Sequence, residues 1–297
     1  MDVGDSAIIG EHPPVNVVFP PILTHFAELA GGYDAVLSDV WGVVHNGIEA
    51  FPQACEALAT FRRNGGQVVL ITNAPRPREA VIKQIDGFGV PREAYDDIVS
   101  SGDVTRSVIQ SRPGQTVYHL GPARDKPIFA GLDVEFAPLD RADYVVCSGL
   151  ENDDVETAED YRGRLEAMLS RKQFMLCGNP DVVVERGPRL VYCAGAVADL
   201  YKSMGGDVLY AGKPYRPIYD LALARLGGKP TLGRVLAIGD SLRTDLAGAD
   251  AAGLDFLFLT AGIHAGDFGA PDKPDAAALH EAFAGRMPKA IMRRLAW

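Results

Sequence analysis

The chain has no uninterrupted apolar run approaching the roughly 20 residues that a membrane-spanning helix needs, so no membrane span is expected. It also lacks an excess of basic residues. With 29 Lys and Arg against 39 Asp and Glu, the formal net charge is −10, which argues against binding nucleic acid through its phosphates. Cysteine is scarce: Cys55, Cys147, Cys177 and Cys193 stand far apart, with no CxxC pair. Zinc-site and disulfide-framework readings therefore have no support, and small thiols buried in a reducing cytoplasm are expected instead. Residues 1–15 carry acids and prolines rather than a basic region followed by an apolar core, so no secretory signal is expected there. Internal repeats and low-complexity tracts are absent as well.

What the 297 residues do contain is 47% hydrophobic side chains at a mean hydropathy of +0.02, enough for a well-packed α/β protein of one large or two modest domains. Residues 1–20 show no periodic face and read as a loosely ordered arm. Ile22 to Ala30 reads as a short helix closed by Gly31-Gly32. The apolar run Ala35-Val36-Leu37 reads as a buried strand that delivers Asp39 at its C-terminal end, and Gly42 then lets the backbone turn. Pro52 suits the first turn of a helix running to Asn64. Strands at Gln67–Ile71 and Asp97–Ser101 alternate with helices at Arg78–Asp86 and Asp103–Ser111, the pattern of a doubly wound parallel sheet.

The character changes at Arg112-Pro113-Gly114. A second alternation follows through TVYHL, DVEFA, DYVVC, a helix near Glu159–Ser170 and FMLC, with a Gly-Asn-Pro-Asp loop at Gly178–Asp181. The first pattern resumes after Gly212-Lys213-Pro214, with a helix over Pro217–Leu226, a strand over Val235–Ile238, a helix over Thr244–Ala252 and a last strand over Phe256–Leu259. The expected organisation is a core of residues 21–114 and 211–297, with residues 115–210 inserted as an α/β cap.

Four places in this layout carry groups suited to phosphoryl chemistry. Asp39 at a strand end is a potential nucleophile beside an anion cradle, and equally a turn cap. Thr72, with Asn73, offers a hydroxyl and N–H groups to a phosphate oxygen, and equally caps a helix. Lys213 sits in a GKP turn that is not a Walker lysine, because Pro214 stands where that motif needs Ser or Thr. Asp240 and Asp245 repel unless a cation or hydrogen bonds hold them, which suits a hard divalent ion; capping by either is the alternative.

Taken together, DVWG, TNAPR, GKP and GDSLRTD resemble the four motifs of the haloacid dehalogenase (HAD) superfamily, and the inserted cap, with its GNPD and CAGA stretches, resembles class IIA of that superfamily. The resemblance implies a phosphohydrolase that works through an aspartyl phosphate on Asp39. It implies Mg²⁺ held by Asp39, the Trp41 carbonyl and Asp240, with Asp245 in the outer shell or orienting Lys213. It further implies a phosphoryl group held by Thr72, Asn73, Lys213 and the N–H groups of Trp41 and Gly42. Asn179 and Asp181 of the cap are expected to face the substrate, a small phosphorylated metabolite, and a homodimer through the cap is expected. Trp41 departs from the pattern: relatives place a second Asp there as general acid, and an indole does not titrate. Three readings are open: a substrate whose good leaving group needs no acid, a stand-in such as His45 or Asp181, or a weakly catalytic relative that binds a phosphorylated ligand as sensor or scaffold.

Overall fold

The structure, a computed structural model, describes residues 19–186, 189–228, 230–270 and 273–297. Most of the arm expected over residues 1–20 therefore lies outside the described residues. The strands are, in chain order, β1 (Ile22–Leu23), β2 (Ala35–Ser38), β3 (Gln67–Thr72), β4 (Asp97–Ser100), β5 (Thr116–Leu120), β6 (Glu135–Phe136), β7 (Tyr144–Cys147), β8 (Phe174–Cys177), β9 (Val183–Arg186), β10 (Arg189–Tyr192), β11 (Val208–Tyr210), β12 (Val235–Gly239), β13 (Asp255–Leu259), β14 (Gly269–Ala270), β15 (Lys273–Pro274) and β16 (Ala290–Met292). The helices are α1 (Ala27–Ala30), α2 (Pro52–Arg63), α3 (Arg78–Gly87), α4 (Ser101–Gln110), α5 (Arg162–Ser170), α6 (Ala194–Ser203), α7 (Arg216–Arg225), α8 (Ala247–Ala252) and α9 (Ala276–Phe283).

Seven parallel strands form the larger sheet in the order β1-β16-β13-β12-β2-β3-β4. Its strands are apolar at successive positions because both faces are covered. Leu37, Ile71, Ala237 and Phe258 point into one core, and Val36, Leu70, Leu236 and Leu257 into the other. Helix α2 illustrates how local sequence serves that packing. Pro52 opens it, Arg62 and Arg63 close it against the helix dipole, and Ala57, Leu58 and Phe61 are buried on one side. Helix α4 starts on a reciprocal capping box between Ser100 and Asp103.

The smaller sheet, β11-β8-β7-β5-β6, is also parallel and comes entirely from residues 116–210. One of its faces contributes Val117, Tyr144 and Leu176 to the same apolar cluster as Leu37 and Phe258. The other is closed by α5 and α6 through Leu165, Val197 and Tyr201. The β9–β10 hairpin follows the Gly178–Asp181 loop.

Two expectations fail at the edge of the larger sheet. The helix expected from Ile22 is one turn, α1, because Ile22 and Leu23 are taken up by parallel pairing with Ile291 and Met292. Likewise, β13 is not the last strand: β16 pairs with it through Phe258 and Ile291. Both strands are two or three residues long, too short for a periodic signal, and each exists only because a distant segment pairs with it. The expected helix over Thr244–Ala252 also begins differently, with a wide turn over Leu242–Leu246 before α8.

The edge pairing has a measurable consequence. Ile291 is fully buried, whereas Ile22 is 55% exposed. Ile291→Ala is expected to cost about 2–5 kcal/mol in urea unfolding and Ile22→Ala less than about 1 kcal/mol. Equal losses would contradict this assignment of the edge.

Candidate active site

The chain order in the larger sheet reverses between β2 and β12: β3 and β4 continue on one side, β13 and β16 on the other. In an open parallel sheet this is where strand ends part and ligands bind. Asp39 follows β2 and Asp240 follows β12, so two carboxylates stand side by side at the crevice. The Asp39 N–H still donates to the Ile238 carbonyl at 2.8 Å, which fixes its backbone to the sheet. Asp240 is fitted between backbones. A Cβ on Gly42, whose φ is +74°, would lie 2.0 Å from Asp240 Oδ2, and one on Gly262 would lie 1.8 Å away. That close approach lets the Ile263 N–H donate to Asp240 Oδ2 at 2.8 Å.

Lys213 is buried and its ammonium joins two acids, 2.5 Å from Asp39 Oδ1 and 2.6 Å from Asp245 Oδ1. Asp245 is held in turn: its Oδ2 accepts from the N–H groups of Asp240 and Ser241 at 3.2 and 3.1 Å. Asp39 Oδ1 also accepts from the Val40 N–H at 2.7 Å. Its Oδ2 takes no hydrogen bond among the described residues. Asp39, Asp240 and Asp245 each offer an oxygen within 4.8 Å of the others.

One ammonium does not balance three buried carboxylates. Burial pushes the Asp39 carboxyl well up, Asp245 adds to this, and Lys213 offsets it only in part. Burial and then Asp245 raise Asp240 to about 7. For Lys213, burial opposes the charged form, but Asp245 and Asp39 outweigh it and hold the ammonium protonated. An all-oxygen set with surplus negative charge fits a hard divalent cation such as Mg²⁺. With both Asp245 oxygens already hydrogen-bonded, Asp39 and Asp240 are the carboxylates best placed to ligate it.

The remaining expected residues separate into two groups. Thr72 ends β3 and borders the cavity that opens over Asp39, but its Oγ1 also accepts from the Ala74 N–H at 3.3 Å. Trp41, 37% exposed, lines the same cavity, as do Asn179 and Asp181. Three of the expected residues have groups engaged within the protein. The Gly42 N–H donates to the His45 carbonyl at 2.9 Å and is not free for a phosphate. Asn73 spends its amide elsewhere: Oδ1 accepts from the Lys213 N–H at 2.7 Å, while Nδ2 donates to the Lys213 carbonyl at 3.1 Å and to Asp181 Oδ1 at 2.9 Å. His45 is buried between the Trp41 and Phe88 rings, its Nδ1 accepts from the Gly47 N–H, and burial lowers it to about 4. It packs edge-on against the Trp41 indole and is a neutral imidazole at neutral pH, a poor general acid. Asp181 has the opposite character: burial raises its carboxyl, and the Asn73 hydrogen bond offsets this in part.

Sequence reasoning passed over Ile263, Gly262 and Arg243. Arg243 reaches from the wide turn to Asp199 at 3.1 Å and to the Pro180 carbonyl at 3.3 Å, tying the core to the cap. The small residues Ala261-Gly262 directly after β13 were the available signal for the close approach to Asp240.

A family profile described as haloacid dehalogenase-like hydrolase matches residues 36–135, and a HAD-hydrolase-like profile matches residues 210–282. A solved hydrolase of the haloacid dehalogenase-like family from Brucella suis is 44% identical, with 92% of this chain and 99% of that one covered at a TM-score of 0.82. This chain belongs to the haloacid dehalogenase-like family. Among curated proteins of the family, the 5'-nucleotidase YutF of Bacillus subtilis is 24% identical over 233 residues, 78% of this chain and 88% of YutF. The D-glycerol 3-phosphate phosphatase of Mycobacterium tuberculosis is 27% identical over 244 residues, 80% of this chain and 65% of that protein. The haloacid dehalogenase-like fold thus accounts for both the seven-stranded core and the inserted cap.

The raised Asp240 carboxyl gives the metal site a pH signature. Because an incoming cation must displace the proton that Asp240 holds below about pH 7, Mg²⁺ affinity should fall about tenfold per pH unit below that point. The rise in Tm on adding Mg²⁺ should be larger at pH 8 than at pH 5.5 and absent in Asp240→Asn. Comparing each pH with its own metal-free sample removes the metal-independent titration of groups such as His45, which burial lowers. An equal rise at both pH values would contradict the site.

Proposed function

We propose that this protein is a Mg²⁺-dependent phosphohydrolase that cleaves a small phosphorylated metabolite through an aspartyl phosphate on Asp39. The observation that carries the proposal is the Lys213 ammonium held between Asp39 and Asp245 beside Asp240, at the floor of a cavity of about 870 Å³. The phosphatase names of the curated relatives support the substrate class. In this reading residues 21–114 and 211–297 are the catalytic core, and residues 115–210 are the cap, which also forms a homodimer contact. The buried thiols of Cys55, Cys147 and Cys177 support a reducing, cytoplasmic compartment.

Asp39 Oδ2, free of hydrogen bonds, attacks phosphorus while the bond to the leaving oxygen breaks. Lys213, the Thr72 hydroxyl and the Trp41 N–H stabilise the phosphoryl oxygens. Asp39, the Trp41 carbonyl and Asp240 would hold a divalent cation, which would supply further charge neutralisation. Asp181, raised by burial, gives its proton to the leaving oxygen. Its carboxylate then takes a proton from the water that attacks phosphorus, releasing phosphate and restoring Asp39. This places the general acid on the cap, where Trp41 has displaced it from the core.

Two measurements test the scheme. Asp39→Asn should abolish Mg²⁺-dependent phosphate release and leave the urea unfolding curve within about 1 kcal/mol of wild type; wild-type turnover would exclude the aspartyl phosphate. Asp181→Asn, which keeps the acceptor for Asn73, should slow alkyl phosphates about 10²-fold and aryl phosphates far less, because aryl leaving groups depart as anions. Adding Trp41→Asp to that variant should recover alkyl turnover. Equal losses on both substrate classes would remove Asp181 as the acid.

A further inference from the structure

The cap sheet has a reversal point of its own. From β5 the chain goes outward to β6, whereas β7, β8 and β11 build the other side. The C-terminal ends of β5 and β7 therefore part in the same manner as those of β2 and β12, and by the same topological rule that crevice suits a ligand. It opens on the same cavity as Asp39: Asp125, Ser148 and Gly149 all border it. None of these residues takes part in the phosphoryl chemistry above.

A small polar network is built there. Ser148, directly after β7, places Oγ 2.9 Å from His119 Nε2 of β5 and stands beside the Asp125 carboxylate, whose charged form it favours. Burial, with help from Lys126, lowers His119 to about 4, which leaves a neutral ring. The packing admits no side chain at the bend: a Cβ on Gly121 would lie 2.2 Å from Ser148 Oγ. Asp125 is only 3% exposed, yet it borders the cavity and has acceptor capacity left beside Ser148.

We propose that Asp125, beside the His119–Ser148 pair, is a specificity-determining subsite for a hydroxyl group on the far end of the substrate. A carboxylate only accepts, so the ligand group must donate: a hydroxyl or an ammonium. Burial raises the Asp125 carboxyl, and Arg124 and Arg76 offset this in part; Arg124 is itself paired with Asp153. The Asp125 charge is thus already compensated from within the protein, which disfavours an ammonium and leaves the hydroxyl. A buried acceptor with no substrate donor stays unpaired, which is how such a site rejects a deoxygenated analogue.

The inference rests on the phosphatase reading, and one set of assays separates the two. kcat/KM is measured with Mg²⁺ for glycerol 3-phosphate, ribose 5-phosphate and glucose 6-phosphate, each against the propyl, pentyl or hexyl phosphate of matching length. Wild type should prefer at least one hydroxylated member over its alkyl partner by about 10²-fold, and Asp125→Asn should lower that ratio by at least about tenfold. Ser148→Ala keeps the carboxylate but removes the hydroxyl that favours its charged form. It should lower the same ratio, and it decides the question if Asp125→Asn does not fold. Turnover of both series with no wild-type preference, or with a ratio that neither variant changes, would overturn the subsite alone. Absence of phosphate release from all six compounds would overturn the phosphatase reading and the subsite with it.

Discussion

A buried ammonium is the constraint around which this molecule is arranged. Lys213 is removed from water and is tolerable only because Asp39 and Asp245 flank it. Either acid alone still pairs the ammonium, but losing both would leave a buried charge uncompensated, a situation that costs about 3–5 kcal/mol where buried pairs have been broken. The surrounding structure fixes each member separately. Asp39 is tied to β12 through its backbone, and Asp245 is held by two N–H groups at the mouth of the wide turn. The Lys213 backbone is gripped from both sides by the Asn73 amide. The residual negative charge is concentrated on Asp39 and Asp240, where a divalent ion and a phosphoryl group can meet it.

The same amide links the site to the cap. Asn73 Nδ2 reaches Asp181, and Arg243 reaches Asp199 and the Pro180 carbonyl. Two residues beside the Lys213 cluster therefore hold the Gly178–Asp181 loop down over the crevice. This geometry brings a protonation-prone carboxyl from the cap to a site whose own second position is an indole. It also makes one continuous cavity out of two sheet crevices, one at Asp39 and Asp240 and one at Asp125 and Ser148.

Much of this could be read in the sequence for a definite physical reason. Strands of a parallel sheet are apolar throughout, so the first polar residue after each, as in Asp39, Thr72 and Asp240, marks the ligand-binding end. The insertion was visible because a second strand–helix alternation interrupts the first. What could not be read is non-local. Nothing around Ile22 or Ile291 tells that they pair with each other across the whole chain. The Gly42 N–H looks free in sequence and is taken by His45 in space. His45 looks titratable in its motif, but the packing of Trp41 and Phe88 around it removes that capacity. Asn73 has the right position to offer its backbone N–H to a phosphate, and only the fold shows that its side-chain amide is bonded to Lys213 and Asp181.

The account stands or falls on covalent chemistry at Asp39, and trapping the intermediate tests it most directly. Wild-type protein turning over p-nitrophenyl phosphate with Mg²⁺ is quenched in acid, reduced with borohydride and digested, and the peptide containing residue 39 is weighed. Reduction of an aspartyl phosphate converts that residue to homoserine, and the account predicts homoserine at position 39 and nowhere else. Phosphate release with an unmodified Asp39 peptide, or homoserine at Asp240 or Asp245 instead, would contradict it.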